Sequence, residues 1–427
     1  MAISSNTIDG TVNHSQNQLP VLIDRSSLLE QIRPFYADGL IKILKGLPRT
    51  GKSSLLRLIA ADLAQRFSRP ASAFLFLDFA EGTDSPDYLA LHELITKAAK
   101  DTPCRLTVLI NEVEKVAGWE LCLNSLRADN VCDLYVASSD PGLLAGENAT
   151  HLAGRTIAFR VFPLSFAEYC SQRRETENPD TLTDAALFAE YAARGGMPGL
   201  SHYPPGQEGN DRAARGYLRD TFDAITLRDI AGRCGFRNTR ALTAVFQTLL
   251  QCTGRRISAG DIAEELKRRN QTAARDTLLA FLKAGTEGFL FHRLDLRDSE
   301  GRRIGKSESR FYPADHGFRE AFFPGAYRRD TKTVLENIVC VELLRRGARV
   351  CCGRDIDFIA EYNGKKCFIQ VTPFLDTEDT LKRTFAPLAA LRNNDTKLVL
   401  SLDSLSRSCD GISHCNIIDF LLDRQAA

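Results

Sequence analysis

Residues 46–53 read GLPRTGKS and fill every position of the pattern G-x-x-x-x-G-K-[ST]. They follow an apolar run, IKILK, and precede SLLRLIAADLAQRF, whose apolar residues recur at helical spacing. A strand that ends in a glycine loop and reopens as a helix fits few architectures, because the loop must lie at the carboxyl edge of a parallel sheet. Gly46 and Gly51 let successive backbone N–H groups turn inward around phosphate oxygens, with Leu47, Pro48, Arg49 and Thr50 between them. The helix that opens with Lys52, Ser53 and Ser54 adds the positive end of its dipole. Lys52 would reach the terminal phosphates, and Ser53 would offer its hydroxyl to Mg2+.

The rest of the chain is consistent with that loop. From residue 21 to about 205, short β-rich runs alternate with helical ones, the pattern of an α/β unit. The expected strands are 40–44, 73–77, 106–110, 134–137 and 156–161, near-continuous apolar runs of the kind buried parallel strands need. A linker, PPGQEGN, follows at 204–210. Residues 211–294 then read as helical, with two helices across 257–282 separated by a turn at 269–272 and a β-like run at 289–294, the outline of a winged helix. Residues 298–309 are a polar loop, 333–346 a helix, and 355–360 and 366–372 strands joined through an Asn-Gly hairpin turn. The expected domains are therefore a tail at 1–20, a phosphate-binding core at 21–205, a helical and winged-helix-like region at 206–305, and a final α/β domain at 306–427.

A triphosphatase also needs a carboxylate at a neighbouring strand tip to hold Mg2+ and an acid to orient the attacking water. The run LTVLI ends in Asn111 and Glu112. Glu112 stands in the water-activating position, whereas Asn111 stands where the magnesium carboxylate belongs. An amide accepts a hydrogen bond from a metal-bound water but carries no charge, so metal affinity should fall and hydrolysis should be slow. Asp78, which ends AFLFLD, is either a substitute carboxylate or an ordinary strand-end Asp. Ser138 and Ser139 follow LYVA and either sense the terminal phosphate or cap the next turn.

These residues resemble bacterial and archaeal AAA-type P-loop ATPases that carry a C-terminal, restriction-endonuclease-like domain of unknown function. The resemblance runs from Asp24 to Leu422 and rests on GLPRTGKSSLL, INEVEKVAGWE, ASSDPGLLAGEN, LAGR and FPLSFAEY. It continues through GGMP, ITLRDI, FYPADHGF, LENIVCVELLRRG and DIDFIAEYNGKKCFIQV. It implies an α/β fold: an AAA+-like P-loop NTPase parallel sheet with helices, then a winged-helix-like region, then a PD-(D/E)xK-like α/β domain. The implied cofactors are ATP and Mg2+, the metal held by Ser53 and weakly by Asn111, which departs from the family's acid. The implied catalytic residues are Glu112, Ser139 and Arg155. Ser138 or Ser139 looks like sensor 1, Arg155 is similar to a family arginine near the nucleotide, and Arg228 is a weaker candidate for a finger bridging copies of a homo-oligomer. In the last domain Glu336, Asp357 and Gln370 occupy the places of metal-holding residues. Thr372 stands where a Lys would stabilise the attacking hydroxide, so the resemblance implies a binding module more than a nuclease.

Charge bears on partners. With 55 Lys+Arg against 54 Asp+Glu, the 427-residue chain has a net charge of +1, which excludes a uniformly basic surface but not a basic patch. Residues 228–310 hold 17 Lys and Arg against 10 Asp and Glu, concentrated at Arg255, Arg256, Lys267, Arg268, Arg269, Arg275, Arg302, Arg303 and Lys306. A DNA or protein partner is therefore expected along 255–306, with Gln271, Thr272 and Arg275 facing DNA in the first case. No apolar run approaches the roughly 20 residues of a membrane span. The scattered cysteines favour reduced thiols and a cytoplasmic setting. Cys409, His414 and Cys415 form the tightest metal-like group, without an evident fourth ligand.

Overall fold

The computed structural model describes residues 22–80, 87–144, 152–176, 182–304 and 308–424. The expected tail at 1–20, and Lys306, lie outside the described residues. The chain forms two compact units, one ending at Val161 and the other beginning at Phe162.

In the first unit, α1 (Ser26–Ile32) leads to β1 (Ile41–Lys45), α2 (Lys52–Phe67), β2 (Phe74–Asp78), α3 (Tyr88–Asp101), β3 (Leu106–Asn111), α4 (Trp119–Ala128), β4 (Cys132–Ser138) and β5 (Thr156–Arg160). The five strands form one parallel sheet in the order β2-β3-β4-β1-β5. β3 and β4 are buried along their whole length, which is why LTVLIN and CDLYVAS show no polar alternation. Leu55, Leu56, Ile59 and Leu63 of α2 pack with Leu44, Leu109 and Tyr135 on one face. Trp119, Leu123 and Leu126 of α4 pack with Ile43, Val108 and Val136 on the other. Each such side chain contributes about 1.5–3 kcal/mol on burial. The expected strands are all present, with ends shifted by at most two residues.

Register decides what meets at the carboxyl edge. Asp78 pairs with Asn111, Asn111 with Ala137, Lys45 with Ser138 on one side and with Arg160 on the other. Two adjacent rows thus carry the polar residues of this edge, Asp78 and Asn111 in one and Ser138, Lys45 and Arg160 in the next, and the connections that leave β4 and β1 run in opposite directions across the sheet where the loop of residues 46–53 begins. Such a reversal opens a crevice above the strand ends.

The second unit opens with α5 (Phe166–Thr176), α6 (Asp184–Arg194) and α7 (Asn210–Ala224), the last running into a π-helical stretch, Ile225–Gly232. Then follow α8 (Thr239–Gln251), β6 (Arg256–Ile257), α9 (Ala259–Arg268), α10 (Arg275–Glu287), β7 (Phe291–Asp295) and β8 (Ser309–Pro313). β6, β8 and β7 form a three-stranded antiparallel sheet in that order. After α11 (Gly317–Phe322) and α12 (Ala326–Arg329), α13 (Thr331–Arg345) precedes β9 (Arg349–Cys351), β10 (Phe358–Tyr362), β11 (Lys365–Val371), α14 (Glu378–Ala389), β12 (Thr396–Ser401), β13 (Ser413–Asn416) and α15 (Ile417–Leu421). Their sheet runs β13-β12-β11-β10-β9, antiparallel from β9 to β11 and parallel from β11 to β13. Asn363 and Gly364 both have positive φ, 48° and 80°, the geometry of a tight two-residue hairpin with an Asn-Gly turn.

Residues 162–205, expected with the phosphate-binding core, share a hydrophobic core with the last sheet instead. Phe166, Tyr169, Leu187 and Tyr191 pack in one cluster with Val334, Leu335, Phe358 and Ile369. The linker composition of PPGQEGN marks a surface turn, and the side chains that bury across it hold the two flanks in the same unit.

Candidate functional site

Gly46 sits where the loop brushes β5: a Cβ there would lie 2.2 Å from the Val161 carbonyl oxygen. Gly51 adopts φ +88°, a conformation L side chains resist, and forms the N-cap of α2 without a side chain covering the helix end. Arg49 also has positive φ, 65°, at the exposed tip. Thr50 is buried and donates through Oγ1 to the Leu47 carbonyl at 2.9 Å, closing the loop on itself. The buried Lys52 ammonium donates to the Gly46 and Leu47 carbonyls at 3.1 and 3.0 Å. A lysine folded inside a glycine loop, with an uncapped helix end beside it, is a cradle shaped for an anion. Pro48 is buried, while Ser53 and Ser54 are half-buried in the first turn of α2.

The Ser53 hydroxyl donates to Asn111 Oδ1 at 3.0 Å, and Asn111 Nδ2 donates to Asp78 Oδ1 at 2.9 Å. These residues fit Mg2+: a hydroxyl, an amide oxygen and a nearby carboxylate are hard oxygen donors. Glu112 follows in a left-handed conformation, φ 53°, and its carboxylate accepts from the Ser139 hydroxyl at 2.8 Å. Glu114 accepts from the Ser139 backbone N–H at 3.2 Å; burial, with the charge of Glu112 nearby, pushes its carboxyl up to about 7. Ser138 is fully buried; its hydroxyl accepts from the Asp140 N–H at 2.9 Å and also hydrogen-bonds the Glu114 carboxylate, so both serines contact an acid at this strand end.

Arg155 is not brought to this edge. It precedes Thr156, the partner of Ile41 at the amino end of β1; its carbonyl accepts from the Ile41 N–H, and its guanidinium donates to Asn124. A full strand length separates it from the loop, because parallel strands put the start of β5 and the glycine loop at opposite edges. Arg160, at the other end of β5, is the arginine on the loop's side; its charge, after burial, helps hold the Lys45 ammonium below its usual range. Sequence reasoning also missed Arg25, which is buried and donates to the Thr50 carbonyl at 3.5 Å. Nothing local to DRSS announces that contact.

In the second unit Glu336, Asp357 and Gln370 do converge. Asp357 Oδ2 accepts from the Val371 N–H at 3.0 Å, and Gln370 Oε1 accepts from the Asp357 N–H at 3.3 Å. Tyr312 donates its hydroxyl to Glu336 at 2.9 Å. Lys332 lies 3.5 Å from both Glu336 and Asp357, and Arg310 lies 3.7 Å from Asp357. Burial and the Asp357 charge push the Glu336 carboxyl up to about 7. Two buried acids thus meet two cations, the half-buried Arg310 and the exposed Lys332, and the buried Thr372 beside them supplies no charge. Lys332 could have been found in sequence, since it lies four residues before Glu336 on one helix face.

Many basic residues of the middle region are engaged by acids within eight positions of them in the chain. Arg268 and Arg269 pair with Glu265, Arg302 with Asp298 and Glu300, Arg303 with Asp295, and the exposed Arg228 with Asp229. Arg255, Arg256, Lys267, Thr272 and Arg275 are exposed, and Gln271 is half-buried. His414 uses both ring nitrogens, accepting from the Arg407 N–H at 3.0 Å and contacting Ser401 Oγ at 2.8 Å, so it has no lone pair left for a metal beside Cys409 and Cys415. None of the twelve cysteines forms a disulfide. Among the described residues no group of three or more His, Cys, Asp or Glu could hold a metal ion, and no helix is long and apolar enough to cross a membrane.

Comparison with known proteins gives two family matches, an AAA domain over residues 38–170 and a domain of unknown function, DUF8612, over residues 185–328. An uncharacterized protein of Haemophilus influenzae is 28% identical over 411 residues, which cover 94% of this chain and 99% of that protein. The uncharacterized protein MJ1544 of Methanocaldococcus jannaschii is 24% identical over 314 residues, covering 72% and 67%. Among solved structures, the Walker-type ATPase PABY2304 of Pyrococcus abyssi aligns with a TM-score of 0.49 at 14% identity, over 70% of this chain and 96% of that one. The RuvB Holliday junction branch migration motor of Thermotoga maritima aligns with a TM-score of 0.33 at 14% identity, over 66% and 93%. Residues 38–170 thus match an AAA domain, and the five-stranded parallel sheet and glycine loop described above lie within them.

Proposed function

We propose that this chain binds ATP with Mg2+ at residues 46–53, hydrolyses it slowly, and uses nucleotide state as a switch on the unit that begins at Phe162. The observation that carries the reading is the Lys52 ammonium, held inside a glycine loop by two of the loop's own carbonyls at the uncapped start of α2. A triphosphate would draw that ammonium from weak carbonyl acceptors to charged oxygens, a stronger charge-assisted hydrogen bond. Ser53 and Asn111 would hold Mg2+, which supplies positive charge to the phosphate oxygens when bound. Glu112, oriented by the Ser139 hydroxyl, would accept a proton from the attacking water. The neutral Asn111 is the reason to expect slow turnover.

The partner-facing part of the reading concerns the second unit. The order α8, β6, α9, α10, β7, β8, with β6 and β7 flanking β8, supports a winged helix whose α10 would meet DNA or a protein partner. The order α13, β9, β10, β11, α14, β12 and the convergence of Glu336, Asp357 and Gln370 support a PD-(D/E)xK-like domain. Lys332 and Arg310 already neutralise its acids, which favours binding over cleavage. Isothermal titration calorimetry tests the core of the proposal: wild type should bind ATP with Mg2+, and Lys52→Ala should weaken binding at least tenfold. Equal affinity in both proteins, or no binding by wild type, would falsify it.

A further inference from the structure

We propose that Asp78 supplies, through the Asn111 amide, the negative charge for Mg2+ that Asn111 itself lacks. The inference rests on the ATP reading of residues 46–53 and assigns the part of that site the sequence leaves vacant. Asn111 is buried and lies between two polar partners, Ser53 Oγ at 3.0 Å and Asp78 Oδ1 at 2.9 Å. A carboxylate only accepts hydrogen bonds, so Asp78 fixes the amide: Nδ2 must face Asp78, and Oδ1 must face Ser53. The acceptor oxygen of Asn111 is thereby pinned beside the hydroxyl that the loop offers to the metal. An unpinned amide could turn its N–H2 toward the cation and repel it.

Asp78 is itself held for the task. Its Oδ1 also accepts from the Ala80 N–H at 2.9 Å, and the Phe79 N–H donates to the Asn111 carbonyl at 3.1 Å, so the ends of β2 and β3 are tied by main chain and side chain together. The register pairs Asp78 directly with Asn111. Among the described residues the second carboxylate oxygen, Oδ2, takes no hydrogen bond, which leaves it able to accept from a metal-bound water. The hydrogen bond polarises the amide toward Oδ1, and the carboxylate places one full negative charge a single side chain away from the cation. The charge that other sites of this type carry on the strand next to the loop strand's neighbour sits here one strand further out, with an amide bridging the gap.

The probe is the non-hydrolysable analogue AMP-PNP, titrated calorimetrically into the full-length chain with Mg2+ and again with EDTA; the quantity read is the ratio of the two affinities. Outer-shell partners of a metal are worth about 10–100-fold in metal affinity. Asp78→Asn should therefore lower the ratio about tenfold while leaving the EDTA affinity, and with it the loop, unchanged. The double variant Asp78→Asn/Asn111→Asp keeps the hydrogen-bond chain and the total charge and should restore the ratio to wild type or above. Mn2+ electron paramagnetic resonance in the presence of AMP-PNP gives a second readout, with the bound fraction falling in Asp78→Asn and returning in the double variant. An unchanged ratio in Asp78→Asn, with binding intact, overturns the proposal and leaves the ATP reading standing. No AMP-PNP binding by wild type in either buffer overturns both.

Discussion

Asn111 and His414 show how one side chain's partners, more than its type, decide what it can do. Asn111 lacks a charge, yet its two hydrogen bonds make its orientation as fixed as that of an acid. His414 has the look of a metal ligand in sequence, but its Nδ1 accepts a backbone N–H, which puts the proton on Nε2, facing Ser401; Ser401 in turn donates to Asp403 at 2.7 Å. This chain runs opposite to a nucleophilic triad, because the histidine donates to the serine and cannot take its proton. Burial holds the His414 pKa below its usual value, with Arg407 acting the same way and Asp403 opposing. A depressed histidine pKa favours folding while the ring is neutral, so its contribution is complete above about pH 6.5 and is lost as pH falls through the folded value. Thermal melts should show a smaller drop between pH 7 and pH 5 in His414→Gln than in wild type; parallel profiles would remove the assignment.

At the scale of elements, the glycine loop is built by the strand on either side of it as much as by its own residues. Gly46 is required by the approach of the Val161 carbonyl and not by an unusual φ, since Val161 also donates its N–H to the Lys45 carbonyl at 2.8 Å. Gly46→Ala would force the loop away from β5 by overpacking, at about 1–3 kcal/mol. Its melting temperature should fall and its ATP affinity should drop in parallel; an unaltered melt would show that the loop can yield without cost. The pattern of the motif was legible because strand, loop and helix are contiguous. Most of the strands were legible for the same local reason, as runs of apolar residues with no alternation. The misplacement of Arg155 was not avoidable by pattern alone, since LAGR says nothing about which edge of the sheet its strand begins on.

For the whole molecule, the net charge of +1 hides a basic middle, but the structure thins that surplus by pairing Arg268, Arg269, Arg302 and Arg303 with local acids. Paired arginines contribute less to phosphate contact, so Arg255 and Arg256, exposed at the start of β6, are the better candidates. If DNA is the partner, anisotropy of a labelled duplex across a salt series should give a steep slope that shrinks by about one for each of the two residues neutralised. A nucleotide switch further requires that ATP change this affinity, by about threefold or more. Binding indifferent to both salt and ATP would leave the basic middle as a solvated surface.

The amino-acid sequence by itself determined the phosphate loop, the parallel sheet that must carry it, the identities of Ser53, Glu112 and Lys52, and the Asn-Gly hairpin. These depend on neighbours within a few residues, where backbone sterics and side-chain periodicity act. Only the tertiary structure decided that Asp78 lies against Asn111, that Arg155 belongs to the far edge, that residues 162–205 are buried with the last sheet, and that Lys332 and Arg310 both reach Asp357. Those pairings join residues tens or hundreds of positions apart, and strand order, which fixes them, leaves no periodic trace in the chain.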